Sequence, residues 1–509
     1  MKNIKLKSLL LFPLLAGALI GCGTQKSNND NSSDGGKQSS QIQSSGGSST
    51  TPEVSNVKIK FWHTFGQTVV DGLKNQISKF EKLVKDNDGV NVTVELSYQG
   101  SYDDIAQKID KGYSVNNKPT IAVAYPDNVS DYIDIGKSAG EDFVVNLEKY
   151  IDDDDVGFGQ EKWLGDKEDK EDFVEAFFEE GSRYTKQGTY SLPFMKSSEI
   201  MFYNMDLVNE TMRNYNPALF GSPTKIEEYM KSMTWDEFIT LSTYIANHKA
   251  EISENIVVPF AYDSDANLFI TKLFQNNIGY ASINANGQGS IDFGSGDNRA
   301  KTIALLERAQ SLYKDDIFKT KKTNDNKYSS SLFTAEKCVF CVGSSGGSGY
   351  NFPQGGSFDM AVCRVPASNN NPLYVTQGPT LALFHDNGLD AKVSEATELY
   401  AWKFLKFITN GEVNAELCTR GSEGYIPVRY SAYETSIFTT FMEEGEDYAA
   451  CNKVVINDIR GRYFVSPAFK GSASLRDKCE LLFSSVLTAS KDQIPTLLDN
   501  YINQATLDL

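Results

Sequence analysis

Three short clusters in the first quarter of the chain combine an aromatic ring with hydrogen-bonding side chains. They are Trp62-His63-Thr64, then Tyr98-Gln99 with Ser101, then Tyr125 with Asp127. An imidazole beside an indole can hold a metal, move a proton or shape a binding surface. His63 has no metal partner at ligand spacing, because His248 and His385 are the only other histidines. No nucleophile motif neighbours it, and H-E-x-x-H is absent. A hydrogen bond donor or shape-setting residue beside a cleft is the favoured reading of His63, with a packed, satisfied core histidine as its alternative. Asp127 and Glu199 raise a second chemistry, since two carboxyls across a scissile bond would make a glycoside hydrolase.

The elements that must position these clusters alternate regularly. "VKIKFW" (57–62) predicts a strand, and 67–86 a helix with Val70, Leu73, Ile77, Phe80 and Leu83 on one face. "NVTVELSY" and "PTIAVAY" predict two more strands, each followed by a helix, the first opening at Ser101. Strands alternating with helices give a parallel sheet covered on both faces. In such a sheet ligands collect at the carboxyl ends of the strands, where all three clusters fall. Further on, "SLPFMKSSEIMFYNMDLV" (191–208) predicts a strand pair and "TWDEF" a helix capped by Thr234. "VGSSGGSGYNF" (342–352) is a glycine-serine loop, and 393–419 a helical pair broken at "NG".

The N-terminus belongs to targeting. Lys2, Lys5 and Lys7 precede an apolar run from Leu9 to Ile20, too short to span a bilayer, and "LIGC" follows. Residues 1–22 therefore predict an export signal that resembles a lipobox, with Cys22 acylated after cleavage, and an ordinary signal peptide as the alternative. Residues 23–53 are rich in Ser, Gly, Asn and Gln and predict a disordered tether. The formal charge of −18 becomes more negative still by the three lysines lost with the signal. So acidic a body, with no basic block, excludes nucleic acid as a partner. The six cysteines besides Cys22 lack framework spacing. "CVFC" (338–341) has no second half-site, so buried thiols are expected, with a disulfide left open and neither metal nor cofactor.

In order along 55–480, "FWHTFG", "YQGSYDD", "AYPDNVSDYI", "LPFMKSSEIMFYNMDLV", "TWDEF", "VGSSGGSGYNF", "QGPTLALF", "AWKFLKFITNGEV" and "SEGYIPVR" together resemble one family. It is the extracellular solute-binding proteins of ABC transporters, in the carbohydrate-binding group of maltose-type and glycerol-phosphate-type receptors. The resemblance implies an α/β, two-lobed periplasmic-binding-protein-like fold of class II, hinged, each lobe a mainly parallel sheet flanked by helices. Lobe 1 is expected at 54–197 and 359–410, and lobe 2 at 200–356 and 412–509. The chain would cross near 197–200, at Ser357 and near 409–413. The family's cleft positions fall on Trp62, His63, Thr64, Tyr98, Ser101, Tyr125, Asp127, Glu199, Asp263, Ser344, Ser345, Gln377, Gly378, Tyr425 and Arg476, with Gln99 and Ser198 beside them.

In these roles Tyr98, Tyr125, Tyr425 and Trp62 would stack on sugar faces. Asp127, Glu199, Asp263 and Gln377 would accept hydroxyl protons, and Arg476 would donate. The expected protein is a monomeric, non-enzymatic receptor, lipid-anchored on the extracellular face of the cell membrane, passing a carbohydrate to an ABC permease. A glycerol-3-phosphate or glycerophosphodiester ligand is the alternative. "AYDSDANLFITKLF" (261–274) weakens it, because two tryptophans of the glycerol-phosphate receptors are absent there. Lys196, Arg429 and Arg476 could nonetheless build a local basic pocket. A secreted hydrolase and a surface adhesin remain as rivals.

Overall fold

Buried Val57, Ile59 and Phe61 alternate with outward Lys58 and part-buried Lys60, so Asn56–His63 forms a strand with its apolar edge inward. The computed structural model describes residues 54–509 apart from 114–116, 369–370, 387, 421–422 and 446. The expected signal peptide (1–22), its Cys22 and the tether (23–53) lie outside the described residues. After Asn56–His63 the chain enters the helix Gln67–Asp88, which buries Val69, Val70, Leu73, Ile77, Phe80 and Val84. Gly89 ends it in the left-handed region. The strand Asn91–Tyr98 returns parallel, in register from Asn56 opposite Asn91 to His63 opposite Tyr98.

Two five-stranded sheets organise the two lobes. The first runs Asn91–Tyr98, Asn56–His63, Ile121–Ala124, Thr380–Leu383, Leu192–Pro193, and only Thr380–Leu383 runs against its neighbours. The second runs Met360–Arg364, Glu199–Asn204, Phe340–Ser344, Phe260–Tyr262, Phe318–Thr320. Here Glu199–Asn204 is the reversed strand. This is the α/β two-lobed, periplasmic-binding-protein-like architecture, each sheet mainly parallel with one antiparallel member.

The chain crosses between sheets at other places than the resemblance implies. Leu192–Pro193 and Glu199–Asn204 do not pair with each other. They lie in different sheets, and residues 194–198 carry the chain across. Met360–Arg364, expected in lobe 1, pairs antiparallel with Glu199–Asn204, which puts it in the lobe 2 sheet and the second passage beyond 364. Gly411–Arg420 packs on the lobe 1 helices Gln67–Asp88 and Ala391–Thr409, so the third passage also comes later than 409–413. Asp447–Val454 already packs on Met360–Arg364.

Where the segments meet, backbone hydrogen bonds knit them. Ser197 and Gln377 exchange N–H···O bonds of 2.9 Å, and Lys196 and Ile426 exchange bonds of 3.0 and 2.7 Å. Tyr374–Val375 pairs in parallel with Tyr463–Phe464. Gly378 has φ of +93°, and a Cβ there would lie 2.3 Å from the Met195 carbonyl oxygen. The bend therefore requires glycine.

All six described cysteines are buried and unbridged. Among the described residues no helix is long and apolar enough to cross a membrane, and no cluster of three potential metal ligands occurs.

Candidate functional site

A cleft of about 500 Å³ opens between the lobes, at the carboxyl ends of the lobe 1 strands. On the lobe 1 side Ser101, Tyr102 and Asp103 begin the helix Tyr102–Tyr113, and Tyr125, Pro126, Asp127 and Asn128 begin Pro126–Ala139. On the other side Asp263, Ser264 and Asn267 belong to the start of Asp265–Gln275, while Arg476, Asp477 and Glu480 come from Ser472–Thr488. Glu199, Ser344 and Gln377 line the crossing. Local caps fix these helix starts. Ser101 and Asp104 bond reciprocally at 2.8 and 3.1 Å, and Ser264 Oγ accepts the Asn267 amide at 3.1 Å.

Glu199 anchors the floor. Its Oε1 accepts from Asn267 Nδ2 at 2.8 Å, and its Oε2 accepts from the Tyr262 hydroxyl. Burial raises its pKa to about 7, against the pull of those two donors and of Arg476. Arg476 in turn donates to Asn267 Oδ1, so one amide spaces a guanidinium from a carboxylate. Asp263 Oδ1 accepts from the Ser329 amide at 2.6 Å and from the Ser329 hydroxyl, leaving Oδ2 near Gly343. Asp127 is raised by burial, offset by Arg476 and by a hydrogen bond from Ser472. Gln377 Oε1 is buried without a hydrogen-bond partner, an open acceptor on the cleft wall.

The aromatic faces cluster on lobe 1. Tyr102 and Tyr125 rings lie 4.5 Å apart at 47°, and the Tyr125 hydroxyl bonds the Gly378 backbone. Tyr425 adjoins both, packed against Gly346, where a Cβ would come within 2.7 Å of its ring. Across the cleft, Lys321 sits 4.0 Å above the Tyr328 ring.

Of the sequence-derived candidates, Ser101, Tyr125, Asp127, Glu199, Asp263, Ser344, Gln377 and Arg476 line this cleft together. The others do not. Trp62 and His63 still belong to the strand Asn56–His63, where both are covered. His63 Nδ1 accepts the Phe65 amide at 3.2 Å, its ring stacks on Phe65, and burial lowers its pKa. That is the packed, satisfied histidine, held as a neutral acceptor. Thr64 reaches the site only through its bond to Tyr102. Tyr98 is 66% exposed at the edge of the sheet. Ser345 is fully buried, with its hydroxyl accepting the Ser198 amide at 3.3 Å, and Gly378 lies at the bend.

The stretch Gly343–Gly347 does satisfy G-x-S-x-G, with Ser345 as its serine. That buried hydroxyl, tied to Ser198, is not presented as a nucleophile. The local basic pocket is also not formed. Lys196 is buried against Glu180, and Arg429 is buried in lobe 1 over the Phe173 ring at 3.9 Å, leaving Arg476 in the cleft. Residues that spacing does not single out are Tyr102, Glu180, Asn267, Lys321 and Tyr328. Tyr102 follows Ser101 directly at a helix start, and Asn267 follows a serine cap by three, so both carry a local signal. Glu180, Lys321 and Tyr328 arrive through tertiary packing alone.

The bacterial extracellular solute-binding protein model matches residues 75–446. The chain belongs to that family. Solved structures share its fold at low identity. The GacH receptor of Streptomyces glaucescens, solved unliganded and with acarbose and a homolog, is 14% identical with a TM-score of 0.61, covering 90% of this chain and 100% of its own. Maltose-bound T. maritima MalE3 is 13% identical with a TM-score of 0.61, covering 89% and 100%. UgpB from Mycobacterium tuberculosis, in complex with glycerophosphocholine, is 15% identical with a TM-score of 0.62, covering 88% and 98%. No curated sequence is similar enough to this family member to match it.

Proposed function

We propose that this family member is the capture receptor of an ABC importer, a binding protein and not an enzyme, which closes its two lobes on an uncharged, hydroxyl-rich carbohydrate. The observation that carries the reading is the acceptor-rich floor of the cleft. Glu199, Asp263 and the partnerless Gln377 Oε1 line the same cleft as the Tyr102 and Tyr125 rings, with Asp127 beside Tyr125. Sugar hydroxyls supply donors to such acceptors, while C–H faces suit the rings. In this reading Ser101, Tyr125, Asp127, Glu199, Asp263, Ser344, Gln377 and Arg476 touch ligand, joined by Tyr102 and Asn267, while Trp62, His63, Thr64, Ser345, Gly378 and Tyr425 support them from behind.

Acarbose and maltose in the two sugar-binding relatives agree with this choice. Glycerophosphocholine in the third relative raises a phosphodiester as the alternative. The charges oppose it, since among the described residues that line the cleft the carboxyls of Asp103, Asp127, Glu180, Glu199, Asp263, Asp477 and Glu480 outnumber the cations Lys321 and Arg476. Acylated Cys22 would hold the receptor to the outer face of the membrane, with 23–53 as its leash to a permease. The lobes would move about 196–198 and 375–378, and closure would be driven by contacts formed with ligand from both sides.

A thermal-shift screen of neutral mono- and oligosaccharides beside glycerol 3-phosphate and glycerophosphocholine tests the assignment. Neutral sugar should raise Tm with the logarithm of its concentration above Kd and be recovered without new reducing ends. Stabilisation by the phosphate esters alone would overturn the ligand class, and released reducing ends would overturn the receptor.

A further inference from the structure

A second cavity, about 550 Å³, lies on lobe 2 and shares no residue with the cleft. It is bounded by the helices Trp235–Ile252, Asp265–Gln275 and Gly296–Lys314 and by the edge strand Phe318–Thr320. Its wall is apolar, formed by Phe260, Leu268, Ile278, Leu312, Phe318 and Phe483. Its volume is that of a small-molecule site.

The polar groups around it are mostly spent. Trp235 Nε1 donates to Gln275 Oε1 at 2.9 Å, and Asn276 Nδ2 donates to the Lys272 carbonyl at 2.6 Å. The Thr234 hydroxyl is committed to Glu237, and Asp236 is paired with Arg308 at 2.7 Å. The exception is Lys272. Its ammonium lies 4.5 Å from the Trp235 ring centroid, and among the described residues no carboxylate reaches ion-pair distance of it. Burial lowers its pKa to about 7, with Arg308 adding to the effect and Asp236 opposing it. A part-buried ammonium resting on an indole, with no carboxylate bonded to it, is placed to meet an anion. Exposed Lys301 adds a second positive charge at the rim. The wall is mainly apolar and its charged rim is basic, so this cavity does not duplicate the carboxylate-rich chemistry of the cleft.

We propose that the cavity is a separate binding site for a free carboxylate bearing an apolar chain, the chain lying along Phe260, Leu268 and Phe483 and the carboxylate meeting Lys272. Isothermal titration of the full chain with decanoate, octanoate and decanol tests it. Decanoate should bind one site per chain, more tightly than octanoate by roughly fourfold per added methylene, and more tightly than decanol. Lys272→Met should weaken decanoate about tenfold while leaving decanol unchanged, and Lys272→Arg should restore decanoate. Three outcomes overturn the site: no binding of decanoate up to its solubility limit, equal binding of decanoate and decanol, or indifference to Lys272→Met. Loss of decanoate binding in Asp127→Ala would assign the carboxylate to the cleft and overturn it equally.

Discussion

Asp131, on the lobe 1 helix Pro126–Ala139, accepts a 3.2 Å hydrogen bond from the amide of Gly471, which leads into the lobe 2 helix Ser472–Thr488. Nearby, the Ala468 amide donates to the Arg183 carbonyl at 2.8 Å, so the two lobes touch along this seam. Burial raises the Asp131 pKa to about 6, with Asp127 and Asp134 adding to the shift and Gly471 and Lys470 opposing it. A carboxyl raised in this way binds its proton more tightly folded than unfolded. Its favourable contribution is complete below about pH 4 and is lost as pH rises through about 6. Asp131→Asn should therefore flatten the fall of Tm with pH in that window, removing at most about 1.4 kcal/mol per pH unit. Parallel Tm profiles for the two proteins would refute the linkage.

Glu199 separates charge from hydrogen bonding. Glu199→Gln keeps an acceptor for Tyr262 or Asn267 and removes the penalty on a buried carboxylate, so unfolding should cost no less than in the parent at pH 8. The same change should weaken sugar binding by about tenfold, one charge-assisted hydrogen bond. Glu199→Ala leaves both partners unsatisfied and should lose about 1–3 kcal/mol of stability as well. Calorimetric affinities beside urea midpoints separate the two effects.

Tyr125 and His63 should part ways. Tyr125→Ala and Asp127→Ala are expected to reduce affinity for a verified sugar tenfold or more with small changes in Tm. His63→Ala removes a ring buried against Phe65 and the acceptor for the Phe65 amide, so it should cost about 2–4 kcal/mol of stability. Its affinity for sugar should stay within about threefold of the parent. An affinity loss for His63→Ala matching that of Tyr125→Ala would put the imidazole back in the cleft.

The bend at Gly378 is a steric claim. With φ of +93° and the Met195 carbonyl oxygen 2.3 Å from the place an added methyl would occupy, Gly378→Ala should destabilise by about 2 kcal/mol or more. Because the Tyr125 hydroxyl bonds the Gly378 backbone, affinity should drop too. Urea unfolding together with a binding isotherm reads both.

The first three strands of the first sheet were legible in sequence because they and their helices carry their own periodicity, as Val57, Ile59 and Phe61 or Leu73, Ile77 and Phe80 do. The cleft loops at Ser101 and Tyr125 followed, since strand ends and helix starts are local events. His63 misled because the strand Asn56–His63 runs one step past Trp62 into a part of the sheet where both rings are buried, and strand length depends on its neighbours' registers. Met360–Arg364 misled for a related reason. Its antiparallel place beside Glu199–Asn204 is chosen by a partner about 160 residues away in sequence, which no local pattern encodes. Glu180 and Tyr328 enter the cleft in the same non-local way.

The six sealed sulfurs have a consequence for a chain of an extracellular family. Cys338, Cys341, Cys363, Cys418, Cys451 and Cys479 are enclosed, and burial pushes the thiols of Cys363, Cys451 and Cys479 up to about 12. Oxidants and alkylating reagents act on exposed thiolates, so the folded body offers them nothing to attack at these positions. Each sulfur becomes reactive only when its own neighbourhood opens, and the order in which maleimide finds them would chart which parts of the molecule loosen first.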